Sequence, residues 1–242
     1  MPLSKPARLK IGLPSFSWLL LTASKKQAGN MQRNFKSVAV STMAVFIVMV
    51  LASIEPLEWS SYLLHQLGTL IFLGLMLFSY RHWHISSRSY VLASMFLFVH
   101  IIGARYLYSY VPYDDWTQLI FGVSLNDLFG WQRNMYDRLV HFSYGLLLFS
   151  AMVESSKFIF KISSIKLLIA IALMINMSSS LLYELLEWGI AATLSPEAAE
   201  AYNGQQGDSW DAHKDMALAL LGGLIAAVIT LFQTRHDNVV IK

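Results

Sequence analysis

Long apolar runs separated by short polar segments dominate this chain. A helix needs roughly 20 mostly apolar residues to cross about 30 Å of hydrocarbon. Runs close to that length lie at residues 38–54, 61–80, 89–108, 136–152, 165–188 and 214–232. The pattern predicts an all-α fold, a polytopic transmembrane helix bundle with about six spans. Within the last run, Gly222 and Gly223 favour close packing against a neighbouring helix.

Composition supports a single membrane domain. Hydrophobic residues make up 55% of the 242 residues and charged residues only 14%, whereas a soluble domain carries about a quarter charged residues. The absence of cysteine excludes disulfides and thiolate chemistry. The net charge of +3 is spread over loops of cytoplasmic type, so we expect membrane lipids as partners and no nucleic acid.

Basic and acidic loops alternate along the chain. Lysine and arginine are concentrated in the first 36 residues, in the loops at 81–88 and 154–166 and at the C-terminal end, and the intervening loops are acidic. Because cytoplasmic loops carry an excess of Lys and Arg, this order predicts that both termini are cytoplasmic. The predicted organisation is a basic tail at 1–36, a membrane domain at 37–234 and a cytoplasmic tail at 235–242.

Ionisable residues accumulate at the ends of the predicted spans that face outward in this topology. They come from four spans, so we expect them to lie at similar depth. The third span ends with His100, Arg105 and Tyr106, the fourth begins with Asp137, Arg138 and His141, the fifth ends with Glu184 and Glu187, and Asp211 and Asp215 open the sixth.

A carboxylate within a bilayer is costly unless it has a partner, and two arrangements would supply one. The first is charge pairing, in which Arg105 and Arg138 neutralise carboxylates among Asp137, Glu184 and Asp215. The second is a divalent metal ion held by His141, Glu184, Asp211 and Asp215. Mixed carboxylate and imidazole ligands suit Zn or Mn, but no compact ligand motif is present to choose between the two arrangements.

Simpler roles also fit several of these residues. Asp208 and Asp211 are suited to cap the last helix, and His100 is suited to a hydrogen bond between helices. An interfacial salt bridge would explain Asp137 and Arg138 equally well. Glu184 and Glu187 are harder to explain in this way, because two acids one turn apart at a span end need a cation, a proton or water.

Four motifs in order resemble the YjdF-like family of bacterial inner-membrane proteins, which is grouped as a domain of unknown function. The motifs are HIIGARYLYS at 100–109, YDRLVHF at 136–142, YELLEW at 183–188 and GDSWD followed by KDM at 207–216. The resemblance covers about residues 38–232 and implies a multi-pass location in the bacterial inner membrane. The family pattern is variable where His213 stands.

A weaker similarity is to the VanZ-like membrane proteins linked to teicoplanin resistance. The shared features are an acid–base–x–x–His–Phe helix opening, a later Glu and an Asp that opens a glycine-containing last helix. The matching positions are Asp137, Arg138, His141, Glu184 or Glu187, Asp215 and Gly222. This similarity connects the site to cell-envelope lipids or glycopeptides and implies no reaction.

Three functions agree with the pattern. The first is a metal-dependent hydrolase or transferase acting on a lipid or lipid-linked head group, with His141, Glu184, Glu187, Asp211 and Asp215 as catalytic residues. Its substrate-binding residues would be His100, Arg105, Tyr106, Asp137 and Arg138. The second is a proton-coupled transporter or lipid flippase using the same carboxylates. The third is a structural or accessory protein whose buried polar network holds the bundle together.

Overall fold

The structure is a computed structural model that describes residues 34–195, 199, 202 and 204–240, with side chains as far as residue 234. The predicted basic tail at 1–36 lies outside this range except for its last three residues. Eight helices and no strand run through the described residues. They are α1 (Phe35–Ala52), α2 (Trp59–His82), α3 (Ser87–Arg105), α4 (Tyr113–Phe121), α5 (Leu125–Phe129), α6 (Tyr136–Phe160), α7 (Ile165–Ala191) and α8 (Asp211–Val240).

The predicted all-α membrane fold is confirmed. Five of the described helices are long and apolar enough to cross a bilayer: α1, α2, α3, α7 and the Asp211–Thr234 part of α8. The remaining long helix, α6, has 25 residues and corresponds to the run predicted at 136–152. It is more polar than the five because it buries Asp137, Arg138 and His141 at its beginning.

Polar side chains form hydrogen bonds with the backbone at both ends of α1. Asn34 precedes α1, and its side-chain oxygen accepts hydrogen bonds from the Lys36 and Ser37 amides at 3.1 and 3.4 Å. At the other end of α1, the Arg105 guanidinium donates to carbonyl oxygens, including that of Ala52 at 3.0 Å. These contacts satisfy backbone groups that a helix leaves unpaired at its termini.

A carboxylate from α6 fixes the start of α3. The Ser86 amide donates to Glu154 at 2.6 Å, and the Ser86 hydroxyl donates to the same carboxylate at 2.9 Å. Ser89 on α3 donates to Ser150 on α6 at 3.0 Å. The beginning of α3 therefore lies beside the end of α6, so these two helices are antiparallel.

The centre of the bundle is α6, which packs against α3, α7 and α8. On the other side of α3 lie α1 and α2, and α7 also packs on α8. The apolar core follows this order: one group of buried side chains lies among α1, α2, α3 and α6, and a second lies among α6, α7 and α8. The polar beginning of α6 is therefore enclosed by protein.

Glycines bring α6 and α8 into backbone contact. A Cβ atom on Gly145 of α6 would overlap the carbonyl oxygen of Ala219 in α8, and one on Gly222 of α8 would overlap the carbonyl oxygen of Phe142. A Cβ on Gly223 would overlap the amide of Asn176 in α7, which donates to Ala219 at 3.0 Å. Small residues at such positions let membrane helices approach closely, as predicted for Gly222 and Gly223.

We expect Gly145→Ala to destabilise the protein by about 1–3 kcal/mol, the usual cost of forcing extra volume into a packed interface. The obstacle is backbone, which cannot rotate away as a side chain can. Thermal unfolding of the detergent-purified protein, followed by circular dichroism, measures the effect.

The matched control is Gly74→Ala in α2, where a Cβ meets no atom within 4 Å. That change should be neutral or slightly stabilising, since alanine is the better helix former. Equal unfolding temperatures for the two variants would contradict the proposed role of the glycine contact.

Candidate functional site

The beginning of α6, the end of α7 and the beginning of α8 meet at one end of the bundle and bring together many ionisable side chains. Six carboxylates contribute, and we call this set the acidic cluster: Asp137, Glu184, Glu187, Asp208, Asp211 and Asp215. Asp211 and Asp215 lie one turn apart on α8, and both are at least 95% buried. Asp208 precedes α8, and its carboxylate accepts from the Trp210 amide at 3.0 Å.

Arg138 of α6 is the main cation of the cluster. Its Nη2 lies 2.6 Å from Asp211 and 3.1 Å from Asp208, and its Nη1 lies 2.5 Å from Asp215. Nη1 also donates to the Asp211 carbonyl oxygen at 2.9 Å. Because the guanidinium is a rigid, planar fork of donors, it can engage several acceptors at once. Arg138 is 6% exposed, so it joins α6 to α8 away from water.

Two more cations lie at the margin of the cluster. Arg133, in the loop before α6, is 2.8 Å from Asp211 and 3.4 Å from Asp208, and it also donates to the Gln205 and Gly204 carbonyl oxygens. Lys214 lies 2.6 Å from Asp208. Hydrogen bonds from the Lys214 ammonium and the Trp210 amide lower the pKa of Asp208.

His141 lies between two carboxylates on the inner side of the cluster. Its Nε2 is 3.6 Å from Asp137 and its Nδ1 is 3.6 Å from Glu184. Asp137, His141 and Asp215 each offer a ligand atom, and these atoms all lie within 4.8 Å of one another. All three residues are buried. Carboxylate and imidazole ligands at this spacing suit a small divalent ion such as Zn or Mn.

Negative charge exceeds positive charge here. Against the six carboxylates stand Arg133, Arg138 and Lys214, together with His141. Arg138 and Arg133 are committed to α8 and its preceding loop, and no lysine or arginine of the described residues forms an ion pair with Asp137, Glu184 or Glu187. An uncompensated carboxylate is expensive away from water, so the cluster requires further cations or protons.

A pocket of about 270 Å³ adjoins the cluster between α7 and α8. Glu184, Glu187 and Asp211 line its polar side, and the remaining lining residues are Leu181, Leu185, Trp188, Gln205, Ala212, His213 and Met216. Glu184 is 8% exposed, and its Oε1 has no hydrogen-bond partner. The pocket therefore connects the lipid-facing side of these helices with the acidic cluster.

The residues predicted to bind substrate occupy several places. Asp137 and Arg138 lie in the cluster, whereas Arg105, the last residue of α3, donates to the end of α1 and is in cation–π contact with Tyr106. His100 shares a 2.8 Å hydrogen bond with the Tyr108 hydroxyl and lies 3.5 Å from the His65 carbonyl oxygen. His100 thus makes the kind of contact between helices that its sequence context favours.

Tyrosine rings surround His65 on α2. The His65 ring stacks on Tyr202 with centroids 4.9 Å apart and meets the Tyr108 ring edge-on at 5.0 Å. Tyr202 belongs to the segment between α7 and α8, so this contact ties that segment to α2. The adjacent Gln66 is 6% exposed, and its side-chain amide has no hydrogen-bond partner.

The proposed metal ligands change in one respect. His141 lies with Asp215 and Asp137 and beside Glu184, whereas Asp211 is paired with Arg133 and Arg138 and lies outside the group of three possible ligands. Sequence reasoning also missed Arg133. The available indication was a lone arginine in an otherwise acidic loop, directly before the polar start of a predicted span.

The fold and the buried polar site define a multi-pass integral membrane protein. The chain belongs to a family described as predicted membrane proteins (DUF2238), which matches residues 37–236. It is similar to the inner membrane protein YjdF of Escherichia coli (strain K12), with 27% identity over 202 residues, or 82% of this chain and 91% of that protein. No solved structure matches it. The predicted membership of the YjdF-like family and the inner-membrane location are confirmed.

We expect Arg138→Gln to destabilise the protein by about 3–5 kcal/mol, because it leaves buried carboxylates on α8 without their cation. Adding Asp215→Asn should restore part of that loss, since the double variant removes one of the unpaired charges. Thermal unfolding in detergent compares the two variants with the unsubstituted protein.

Lys214→Gln is the matched control, because it removes a cation whose side chain is 56% exposed. Exposed ion pairs contribute little to stability, so we expect almost no change. A loss as large as that of Arg138→Gln, or no recovery in the double variant, would contradict a buried ion-pair network centred on Arg138.

Proposed function

We propose that this protein is a membrane-embedded, metal-dependent hydrolase or transferase. It would act at a phosphate or ester group of a lipid or lipid-linked head group. The observation that carries the proposal is the convergence of Asp137, His141 and Asp215, three buried ligands from two helices. Glu184 of a third helix lies beside His141. A divalent ion bound there would offset part of the excess negative charge.

The proposed topology has six spans, with α6 as the fourth and both termini in the cytoplasm. The alternation of basic and acidic loops supports this direction. The antiparallel packing of α6 against α3 agrees with opposite directions for the third and fourth spans. In this topology the acidic cluster lies at the outer leaflet, where lipid head groups and water meet.

The residues divide the proposed work among themselves. Asp137, His141 and Asp215 would hold the metal ion, which when bound polarises a phosphoryl or carbonyl oxygen and lowers the pKa of a water ligand. Arg138 holds Asp215 in place at 2.5 Å, so we assign it to positioning a ligand. Glu184 lines the pocket and its Oε1 lies 3.6 Å from Nδ1 of His141, so we assign it to accepting a proton from the attacking water or hydroxyl group.

Elemental analysis of the detergent-purified protein tests the metal site. We expect a near-stoichiometric transition metal in the unsubstituted protein, and loss of most of it in His141→Ala and Asp215→Asn, because each variant removes a ligand. Asp115→Asn, an exposed carboxylate on α4, is the control and should retain the metal.

A folded protein that stays free of metal after Zn, Mn and Mg are added back would contradict the proposal. Protons would then be the remaining way to balance the carboxylates, and proton-coupled transport would become the leading hypothesis. Metal retained equally by all variants would place the ion elsewhere.

A further inference from the structure

The pocket between α7 and α8 opens towards lipid. Its rim is apolar: Leu181 is 46% exposed, Leu185 50% and Trp188 69%. All three lie on α7, within a helix long and apolar enough to span a membrane. The opposite wall is formed by Asp211, Ala212, His213 and Met216 at the beginning of α8. Exposed apolar side chains on such helices face acyl chains, so a lipid can reach the pocket sideways without leaving the bilayer.

The inner wall of the pocket is acidic and carries no lysine or arginine. Glu184, Glu187 and Asp211 line it, and His213 is the one histidine among the lining residues. Asp211 is already paired with Arg133 and Arg138. The two glutamates have no Lys or Arg partner among the described residues, and the Oε1 atom of Glu184, a residue 8% exposed, lacks a hydrogen bond.

The charge balance specifies what should occupy this wall. With all six carboxylates ionised, a divalent ion at Asp137, His141 and Asp215 and the three Lys and Arg side chains would still leave one negative charge. An ammonium group held against the two glutamates would offset that charge where it is concentrated, even in a head group whose phosphate keeps the whole ligand neutral. An ammonium with N–H donors can also donate hydrogen bonds to the glutamate carboxylates, which a quaternary ammonium cannot do.

We infer that the pocket binds a lipid with a primary amine on its head group, and that this lipid class is the substrate of the acidic cluster. The acyl chains would lie along the apolar rim of α7 and α8. The ammonium group would meet Glu187 and Glu184, which places the bonds of the head group next to His141. That this lipid is a substrate rests on the proposed function, whereas its binding in the pocket does not.

Native mass spectrometry of the full-length protein in detergent tests the binding. The probes are phosphatidylethanolamine, phosphatidylcholine and phosphatidylglycerol with identical acyl chains. We expect phosphatidylethanolamine to bind about tenfold more tightly than phosphatidylcholine, because only its ammonium group can donate charge-assisted hydrogen bonds to the glutamates. Phosphatidylglycerol, which has no cation, should bind more weakly still.

Two variants separate the head-group contact from the cavity itself. Glu187→Gln should abolish the preference for phosphatidylethanolamine while leaving weak binding of all three lipids. Ala212→Phe should lower the binding of all three, because its ring would fill a pocket of about 270 Å³ that Ala212 lines. Asp115→Asn is the control carboxylate away from the pocket and should leave the preference intact.

Equal binding of the three lipids, a preference for phosphatidylcholine or phosphatidylglycerol, or an unchanged preference in Glu187→Gln would overturn the inference. Metal content measured on the same samples separates this result from the proposed function. A preference for the amine lipid in metal-free protein would support the pocket and refute the metalloenzyme. Metal without that preference would refute the pocket assignment alone.

Discussion

The backbone contact between α6 and α8 is the constraint on which the rest of this structure depends. Gly145 and Gly222 allow the two helices to approach so closely that even a methyl group would overlap a carbonyl oxygen. That approach brings the first turns of both helices together, and Arg138 can then reach Asp211 and Asp215 directly. The ion pairs are therefore a consequence of close packing, and they in turn fix the rotation of α8 about its axis.

The same closeness explains why the acidic cluster needs more than its own cations. Arg138 is buried, but its charge is shared by three aspartates, and Arg133 and Lys214 add theirs at the margin. Asp137 and Glu184 are left facing His141 at 3.6 Å. A network that served packing alone would gain by replacing such groups with apolar ones, since buried ion pairs often contribute little net stability. The unbalanced carboxylates therefore favour a site that binds a cation.

The all-helical membrane fold could be predicted from the sequence because the length of an apolar run reports directly on a bilayer. The polar site could be predicted only in part. The sequence places His141, Glu184 and Asp215 near span ends, but the pairing of arginines with acids depends on which helices are neighbours. Arg105 lies beyond the cluster because it binds carbonyl oxygens at the end of α1. Asp137, one turn before His141 on α6, lies within reach of His141 and Asp215, and Asp211 is paired with Arg133 and Arg138.

Glu184 connects the two halves of the site, since it lies 3.6 Å from His141 and also lines the pocket between α7 and α8. A water-soluble substrate would gain nothing from a pocket whose rim is leucine and tryptophan on a spanning helix. An amphiphile would make favourable contacts with both parts of the pocket, because its chains remain in an apolar environment while its head group meets the carboxylates. Under the proposed function, the molecule acted on would already reside in the bilayer, and its head group would lie towards His141 and its neighbouring acids.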